Sequence, residues 1–217
     1  MDNKELQTIS ELGEFGLIDY LTENIELKNS SSKYGVGDDA AVINNKNKDT
    51  LITTDLLIEG IHFDMVFTPL KHLGYKAIAV NVSDIIAMNA KPQQVTVSLG
   101  ISSKYSLNAI DEIYNGMKLA CEKYGVDIIG GDTSSSESGL IISITAIGIV
   151  DNDDLVFRNG AKENDLIVVS GDLGAAFVGL TLLQREKEVW TNSPDMQPSL
   201  EGNDYILQRQ LKPEARE

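Results

Sequence analysis

Apolar positions along this chain recur with two periods, and the change from one to the other outlines its elements. Leu17, Leu21 and Ile25 fall at helical spacing and predict an amphipathic helix over residues 14–25. Residues 29–37 are small and polar and read as a loop. A short strand over 40–43, a polar hairpin-like turn over 44–50 and a returning strand over 51–55 follow. From Pro69 to Ala90 the spacing of Leu73, Ala77, Val80 and Ala87 predicts a long helix, stopped by Pro92. Residues 95–101 read as a strand. Ser106 caps a second long helix over 107–124, and Gly125 ends it. Two buried strands, 126–129 and 140–150, flank a glycine- and serine-rich stretch over 130–139. The order β-β-α-β-α-β-β predicts an α+β fold, with helices packed on one face of a sheet.

The run Asp151-Asn152-Asp153-Asp154 marks a boundary, dividing the chain into units 1–150 and 151–217. Beyond it the pattern predicts a strand over 165–170, a tight turn at 171–174 and helices over 175–185 and 204–211, the two helices separated by a polar loop. One strand and two helices are too little to close a core. The second unit is therefore expected to be an incomplete α/β domain, cut short or dependent on a partner. No internal repeat or low-complexity tract is present.

Charge narrows the function classes. The 217 residues carry 33 acidic and 18 basic side chains, a net charge of −15. Neutralising nucleic acid or an anionic membrane needs clustered Lys and Arg, so neither is an expected partner. The single cysteine, Cys121, excludes an internal disulfide and a cysteine-rich zinc site, and its helical spacing with Met117 and Tyr124 predicts burial. Two histidines, His62 and His72, are too few for a histidine-rich metal centre. The first residues lead into no apolar leader, and no run is long enough to span a membrane, so a cytoplasmic location is expected.

Four acidic motifs sit at the edges of apolar runs: Gly37-Asp38-Asp39, Thr53-Thr54-Asp55, Ser83-Asp84 and Gly130-Gly131-Asp132. Carboxylates that converge repel one another unless a cation lies between them. An all-oxygen set suits Mg²⁺, which is commonly shared between carboxylates and substrate phosphates. Each motif also has a plainer reading: an acidic turn, a Thr-rich strand end, an exposed helical Asp, a glycine turn. Asp38 and Asp39 point in different directions in an extended segment, so one of them is expected to serve as a ligand. Asp84 interrupts an apolar helix face, where a carboxylate is costly unless paired. Gly130 and Gly131 let a backbone approach a phosphate, but no Lys follows, so this is not a Walker loop. Gly35-Val36-Gly37-Asp38-Asp39-Ala40 lacks the preceding strand and last glycine of a dinucleotide fingerprint. Arg158 is a candidate phosphate clamp.

The segments GEFGLI, GVGDDAAVI, LITTDLLIEGIHFD, GYKAIAVNVSDIIAMNAKP, IIGGDT and RNGAKENDLIVVSGDLGAA occur in that order. Together they resemble the thiamine-monophosphate kinase family, related to aminoimidazole ribonucleotide synthetase and selenophosphate synthetase. EGIHFD, residues 59–64, is the most family-specific piece. The resemblance covers about residues 11–217 and implies transfer of the γ-phosphoryl of ATP to thiamine monophosphate, giving thiamine diphosphate. It implies a homodimer whose N-terminal sheets pair into a shared barrel. It implies several Mg²⁺ ions held by Asp39, Thr53, Thr54, Asp55, Asp84 and Asp132. Gly131, Asp132, Arg158 and Tyr114, the last from across the dimer, would bind ATP, and His62 would lie near the thiamine phosphate. No general base is expected, because the acceptor phosphate is already largely ionised at pH 7, its second pKa lying near about 6. Family members continue past residue 217 with a further acidic metal motif and much of the thiamine pocket. Asn89 stands where the family usually has Gly and is expected to be tolerated at a helix end.

Two rival readings remain. A hydrogenase-maturation enzyme of the same superfamily shares the GDDAA-like start but needs a C-terminal cysteine that this chain lacks. A non-catalytic, metal-binding dimeric protein is the rival from another class, although residues 151–154 lack the glycine and distal Glu of an EF-hand loop.

Overall fold

The computed structural model describes residues 9–216; residues 1–8 and 217, which the two-unit division includes, lie outside the described residues. Helix α1 spans Ile9–Thr22 and is broken at Gly13. Among the described residues six strands follow in the order β1 (Ser32–Tyr34), β2 (Ala41–Asn45), β3 (Lys48–Ile58), β4 (Lys91–Ile101), β5 (Asp127–Ser135) and β6 (Ile141–Asp151). Helix α2 (Leu70–Ala87) lies between β3 and β4, and α3 (Leu107–Tyr124) between β4 and β5. The strands form one sheet in the order β1-β2-β3-β6-β4-β5. All neighbours are antiparallel except β4 and β5, whose connection through α3 makes them parallel. The chain is α+β, as its periodicity predicts.

Pleating sorts the side chains onto two faces. Leu51, Thr53 and Leu57 of β3 point to the buried face with Val95, Val97 and Leu99 of β4 and Ile142, Ile144 and Ala146 of β6. Helix α2 covers that face with Leu73, Ala77, Ile78, Val82 and Ile85. The other face carries Ile52, Thr54, Leu56, Thr145, Ile147 and Ile149 and is half-buried or exposed.

Helix α3 packs on α2, and two glycines set the distance between them. A Cβ at Gly74 would lie 1.9 Å from the Ile113 carbonyl oxygen, and one at Gly116 would lie 1.9 Å from that of Lys71. Backbone touches backbone at both points, which no larger residue permits. Ser106 caps α3 by accepting from the Ala109 N–H, and Gly125 closes it in the left-handed region. Cys121 is buried, as predicted, and burial first and Asp127 second push its thiol up to about 11.

Several boundaries differ from the sequence expectation. The β2–β3 turn is tighter than residues 44–50, because both strands extend to pair Asn45 with Lys48. Strand β5 runs on through Gly130 and Gly131 to Ser135, held by the β4 ladder. Helix α2 ends before Pro92, which is the second residue of β4; the stop is at Asn89, whose φ is 60° and whose side-chain amide donates to the Asp154 carbonyl. Asparagine tolerates that conformation, so its place at this helix end has a physical reason.

After residue 151 the described chain carries α4 (Ala175–Asn192) and α5 (Asp204–Leu211), which pack on each other. The strand expected over 165–170 is not formed. No strand is adjacent to it among the described residues, and an apolar run without a ladder partner has nothing to make it a strand. A strap over residues 212–216 ties this part back to the helices. Glu214 Oε2 accepts from the hydroxyls of Tyr75 (2.5 Å) and Tyr124 (2.8 Å) and from Lys123. Burial pushes this carboxyl up, but those hydrogen bonds outweigh it and hold the pKa at about 2.

Candidate functional site

Three of the four acidic motifs meet at one corner of the buried face. Thr53 and Asp55 alternate with Leu51 on β3 and so point toward α2. There Thr53 Oγ1 donates to Asp84 Oδ2 at 3.1 Å. Asp84 is half-buried, and its pKa is raised to about 6 by burial first, then by Asp55, with a further push from Asp39. Asp55 is also raised, by burial, against a smaller lowering from nearby His62. Asp55 and Asp39 are therefore both close enough to Asp84 to resist its ionisation. Their spacing is wide: among the described residues no three His, Cys, Asp or Glu side chains are placed to hold one ion directly. The chemistry of the donor set, all oxygen and short of compensating charge, fits a hard divalent cation with water and phosphate oxygens completing the shell.

The two acids of the GDD turn divide as their opposed directions require. Asp38 is occupied structurally: Oδ1 accepts from the Asp39 N–H at 2.9 Å and Oδ2 from the Arg158 N–H at 3.1 Å. Asp39 faces the corner. Arg158 Nε donates to the Gly37 carbonyl at 3.1 Å, so its guanidinium stands beside the same turn.

Thr54 and Asp132 lie elsewhere. The Thr54 hydroxyl is on the opposite pleat, donating to the Ile144 carbonyl and accepting from Thr145. Asp132 is on the edge strand β5, in the ladder row Leu56–Ser143–Ser98–Asp132. That row is on the face of Thr54, and three strand spacings separate β5 from β3, about 14 Å. Tyr114, Gly131 and Asp132 do come together, lining an open groove of about 600 Å³ with Val97 and Ile128. Gly131 is required there, since a Cβ would lie 1.7 Å from the Val97 carbonyl oxygen and its φ is +155°.

His62 sits in a tight loop after β3. The N–H groups of Ile61 and His62 both donate to the Ile58 carbonyl, and the Gly60 N–H donates to that of Phe63. The Ile58 N–H donates to His62 Nδ1 at 3.0 Å. This bond assigns the tautomer: Nδ1 carries no proton, so the neutral ring holds its proton on Nε2 and presents a donor to the exterior.

Three side chains at the site went unread in the sequence. Asn81 is fully buried on α2; it accepts from the Asp55 N–H at 3.0 Å and donates to the Ala77 carbonyl. A polar residue inside the apolar face of α2 was the available clue. Glu59, which opens the EGIHFD segment, and Lys76 hold the His62 loop, and nothing local to their positions announced that role.

The chain belongs to the AIR synthase related family, whose N-terminal domain model matches residues 37–150, which contain all three acids of the corner. Within it, the chain is similar to curated thiamine-monophosphate kinases. It is 35% identical to that of Bacillus subtilis (strain 168) over 206 residues, 94% of this chain and 61% of the relative. It is 38% identical to that of Aquifex aeolicus (strain VF5) over 208 residues, 96% and 62% of the two chains. Among solved structures, AaThiL complexed with AMPPCP and TMP superposes with a TM-score of 0.81 at 36% identity, covering 98% of this chain and 63% of that one. The chain thus spans about three-fifths of the relatives it matches. No helix among the described residues is long and apolar enough to cross a membrane.

Proposed function

We propose that this chain carries the nucleotide- and Mg²⁺-binding part of an enzyme that transfers the γ-phosphoryl group of ATP to thiamine monophosphate, forming thiamine diphosphate. The observation that carries the reading is the acidic corner: Asp39 and Asp55 crowd Asp84 and, with burial, raise its pKa, while His62 lies near Asp55. The solved relative complexed with AMPPCP and TMP supports the choice of donor and acceptor.

In this reading residues 1–150 form the ATP- and Mg²⁺-binding, dimerising domain, and residues 151–217 the start of a second domain. Asp39, Thr53, Asp55 and Asp84 would hold Mg²⁺ ions, which when bound screen the repulsion between two anionic phosphates. Tyr114 and Gly131 would cradle the nucleotide, with Arg158 clamping a phosphate. His62 would donate its Nε2–H to the acceptor. With Nδ1 engaged by the Ile58 N–H, the neutral ring has no basic nitrogen directed outward, in keeping with an acceptor oxygen that is already ionised and needs no general base. Transfer is then direct and in line, without a phosphoenzyme.

Homodimerisation belongs to the same reading. The open sheet face offers Ile52, Leu56, Ile147 and Ile149 for a barrel with a second copy. Thr54 and Asp132 lie on that face, so packing there would complete their share of the metal and nucleotide site. ATP as donor goes with a cytoplasmic location.

The test is direct. This chain, and a version extended to the length of its relatives, is assayed for thiamine diphosphate with ATP, Mg²⁺ and thiamine monophosphate. Product from the extended protein is expected; none would sink the substrate assignment. ATP binding that is unchanged when Mg²⁺ is removed would favour a non-catalytic protein.

A further inference from the structure

The loop carrying His62 is held from three directions by side chains that the proposed reaction does not use. At its start, Glu59 is largely buried. Its Oε2 accepts from the Tyr105 hydroxyl at 2.7 Å and the Leu140 N–H at 2.8 Å, and its Oε1 pairs with Lys104. Burial pushes this carboxyl up, and these donors outweigh it and bring it below its ordinary value. The neighbouring Gly139, at φ +124°, leaves the space: a Cβ there would lie 2.6 Å from Glu59 Oε2. In the middle, Lys76 reaches from α2 and donates to the His62 carbonyl at 3.3 Å. The Lys76 ammonium is mostly enclosed, and burial lowers its pKa. At the end, Asp64 pairs with Lys187 of α4 and accepts from the Val66 N–H at 2.9 Å. Gly60, His62, Asp64 and Lys76 line one small cavity of about 130 Å³ with Leu180 and Gln184 of α4.

These contacts are not interchangeable with ordinary loop packing. Two ends and a midpoint of a six-residue segment are each fixed by a contact to a charged group, and the partners lie on three different parts of the fold: the β4–α3 turn, α2 and α4. The His62 ring is oriented by the Ile58 N–H only while residues 58–62 keep their turn. Whatever holds the turn therefore sets both the ring's direction and its tautomer.

We infer that Glu59, Lys76 and Asp64 are positioning residues that bracket the His62 loop and fix the Nε2–H donor toward the acceptor phosphate. Glu59 ties the loop to the β4–α3 turn and the start of β6. Lys76 ties it to α2, eight residues and about 12 Å along the helix from Asp84. Asp64 ties it to α4, so the placement of residues after the boundary is transmitted to the acceptor side of the site. The direction of the donor rests on the function proposed above; the bracket itself rests on geometry alone.

The experiment exploits the presence of two histidines. Long-range ¹H–¹⁵N spectra of the imidazoles are recorded at pH 8 for the wild-type chain and for Glu59→Gln, Lys76→Met and Asp64→Asn, with His62→Asn assigning the signals. Calorimetry gives the affinity for thiamine monophosphate, with ATP and Mg²⁺ present, on the protein extended to its relatives' length. The wild-type His62 should show one tautomer, protonated at Nε2. Glu59→Gln and Lys76→Met should mix the tautomers and weaken acceptor binding roughly tenfold, with ATP affinity unchanged. Lys76→Arg should restore both. Should Glu59→Gln not fold, Tyr105→Phe removes a single donor from the same carboxylate and should shift the His62 signals in the same direction. Unaltered His62 signals in folded Lys76→Met and Tyr105→Phe would overturn the bracket. Altered signals with full acceptor affinity, in His62→Asn as well, would overturn the acceptor role and leave the bracket standing.

Discussion

Val97, Ile142 and Ile144 are 2%, 0% and 0% exposed, whereas Leu166, Ile167 and Val168 are 90%, 96% and 85% exposed. Both sets are apolar and mostly β-branched, the kind of residues that form strands. The first lie on strands with a neighbour on each side and a helix above; the second have no ladder partner among the described residues. Composition thus offers a strand, and neighbours make one. The same contrast divides the site. Residues on β3 and α2 are held to each other through partly buried contacts such as Thr53–Asp84 and Asn81–Asp55. Arg158, beyond the boundary, is held through two hydrogen bonds to the exposed GDD turn.

The largest effect expected from the buried half is on chemistry. If the proposed function holds, Asp84→Asn in the protein extended to its relatives' length should lower thiamine diphosphate formation by about a hundredfold or more, because it removes charge from the proposed cation site, while leaving the far-ultraviolet circular dichroism unchanged. Full activity in Asp84→Asn would remove that residue from the proposed metal site. Next comes the helix pair. Gly74→Ala or Gly116→Ala forces two backbones apart and should destabilise the fold by about 3 kcal/mol, read from urea unfolding. A neutral result would mean that the α2–α3 approach is looser in solution.

Glu214 tests the strap joining the two halves. Glu214→Gln should lower the melting temperature by a few degrees at pH 7. The carboxyl's folded pKa of about 2 lies below its ordinary value of 4.5. Its contribution is therefore present above the ordinary value and disappears as pH falls through the folded one. The gap between wild type and Glu214→Gln should persist at pH 5 and close toward pH 2. A gap independent of pH would assign the strap to packing instead. The smallest effect belongs to the exposed run. Ile167→Asp should change stability by no more than about 0.5 kcal/mol, and a larger loss would show that residues 165–170 pair in solution.

Much of the fold was legible because its causes are local. Ser106 and Gly125 bound α3 within a residue, since caps act on the adjacent turn. The α2 pattern announced a buried helix with Asp84 as its anomaly, and the structure places that acid beside Thr53 and Asp55. The length of β5 was not legible: Gly130 to Ser135 has weak strand propensity and is held extended by the β4 ladder. Thr54 was read with Thr53 because the two are adjacent, and pleating sends their hydroxyls to opposite faces. The roles of Glu59 and Lys76 were not legible because their partners, Leu140 and His62, lie 81 and 14 residues away in sequence.

The residue order by itself determined the alternation of strands and helices, the caps, and the four places where an acid interrupts an apolar run. All of these follow from interactions within a few residues. Tertiary structure alone decided which acids face one another, which pleat each hydroxyl occupies, and whether an apolar run becomes a strand. Those outcomes depend on what folds against a segment from elsewhere in the chain, and a segment's own letters do not contain its neighbours.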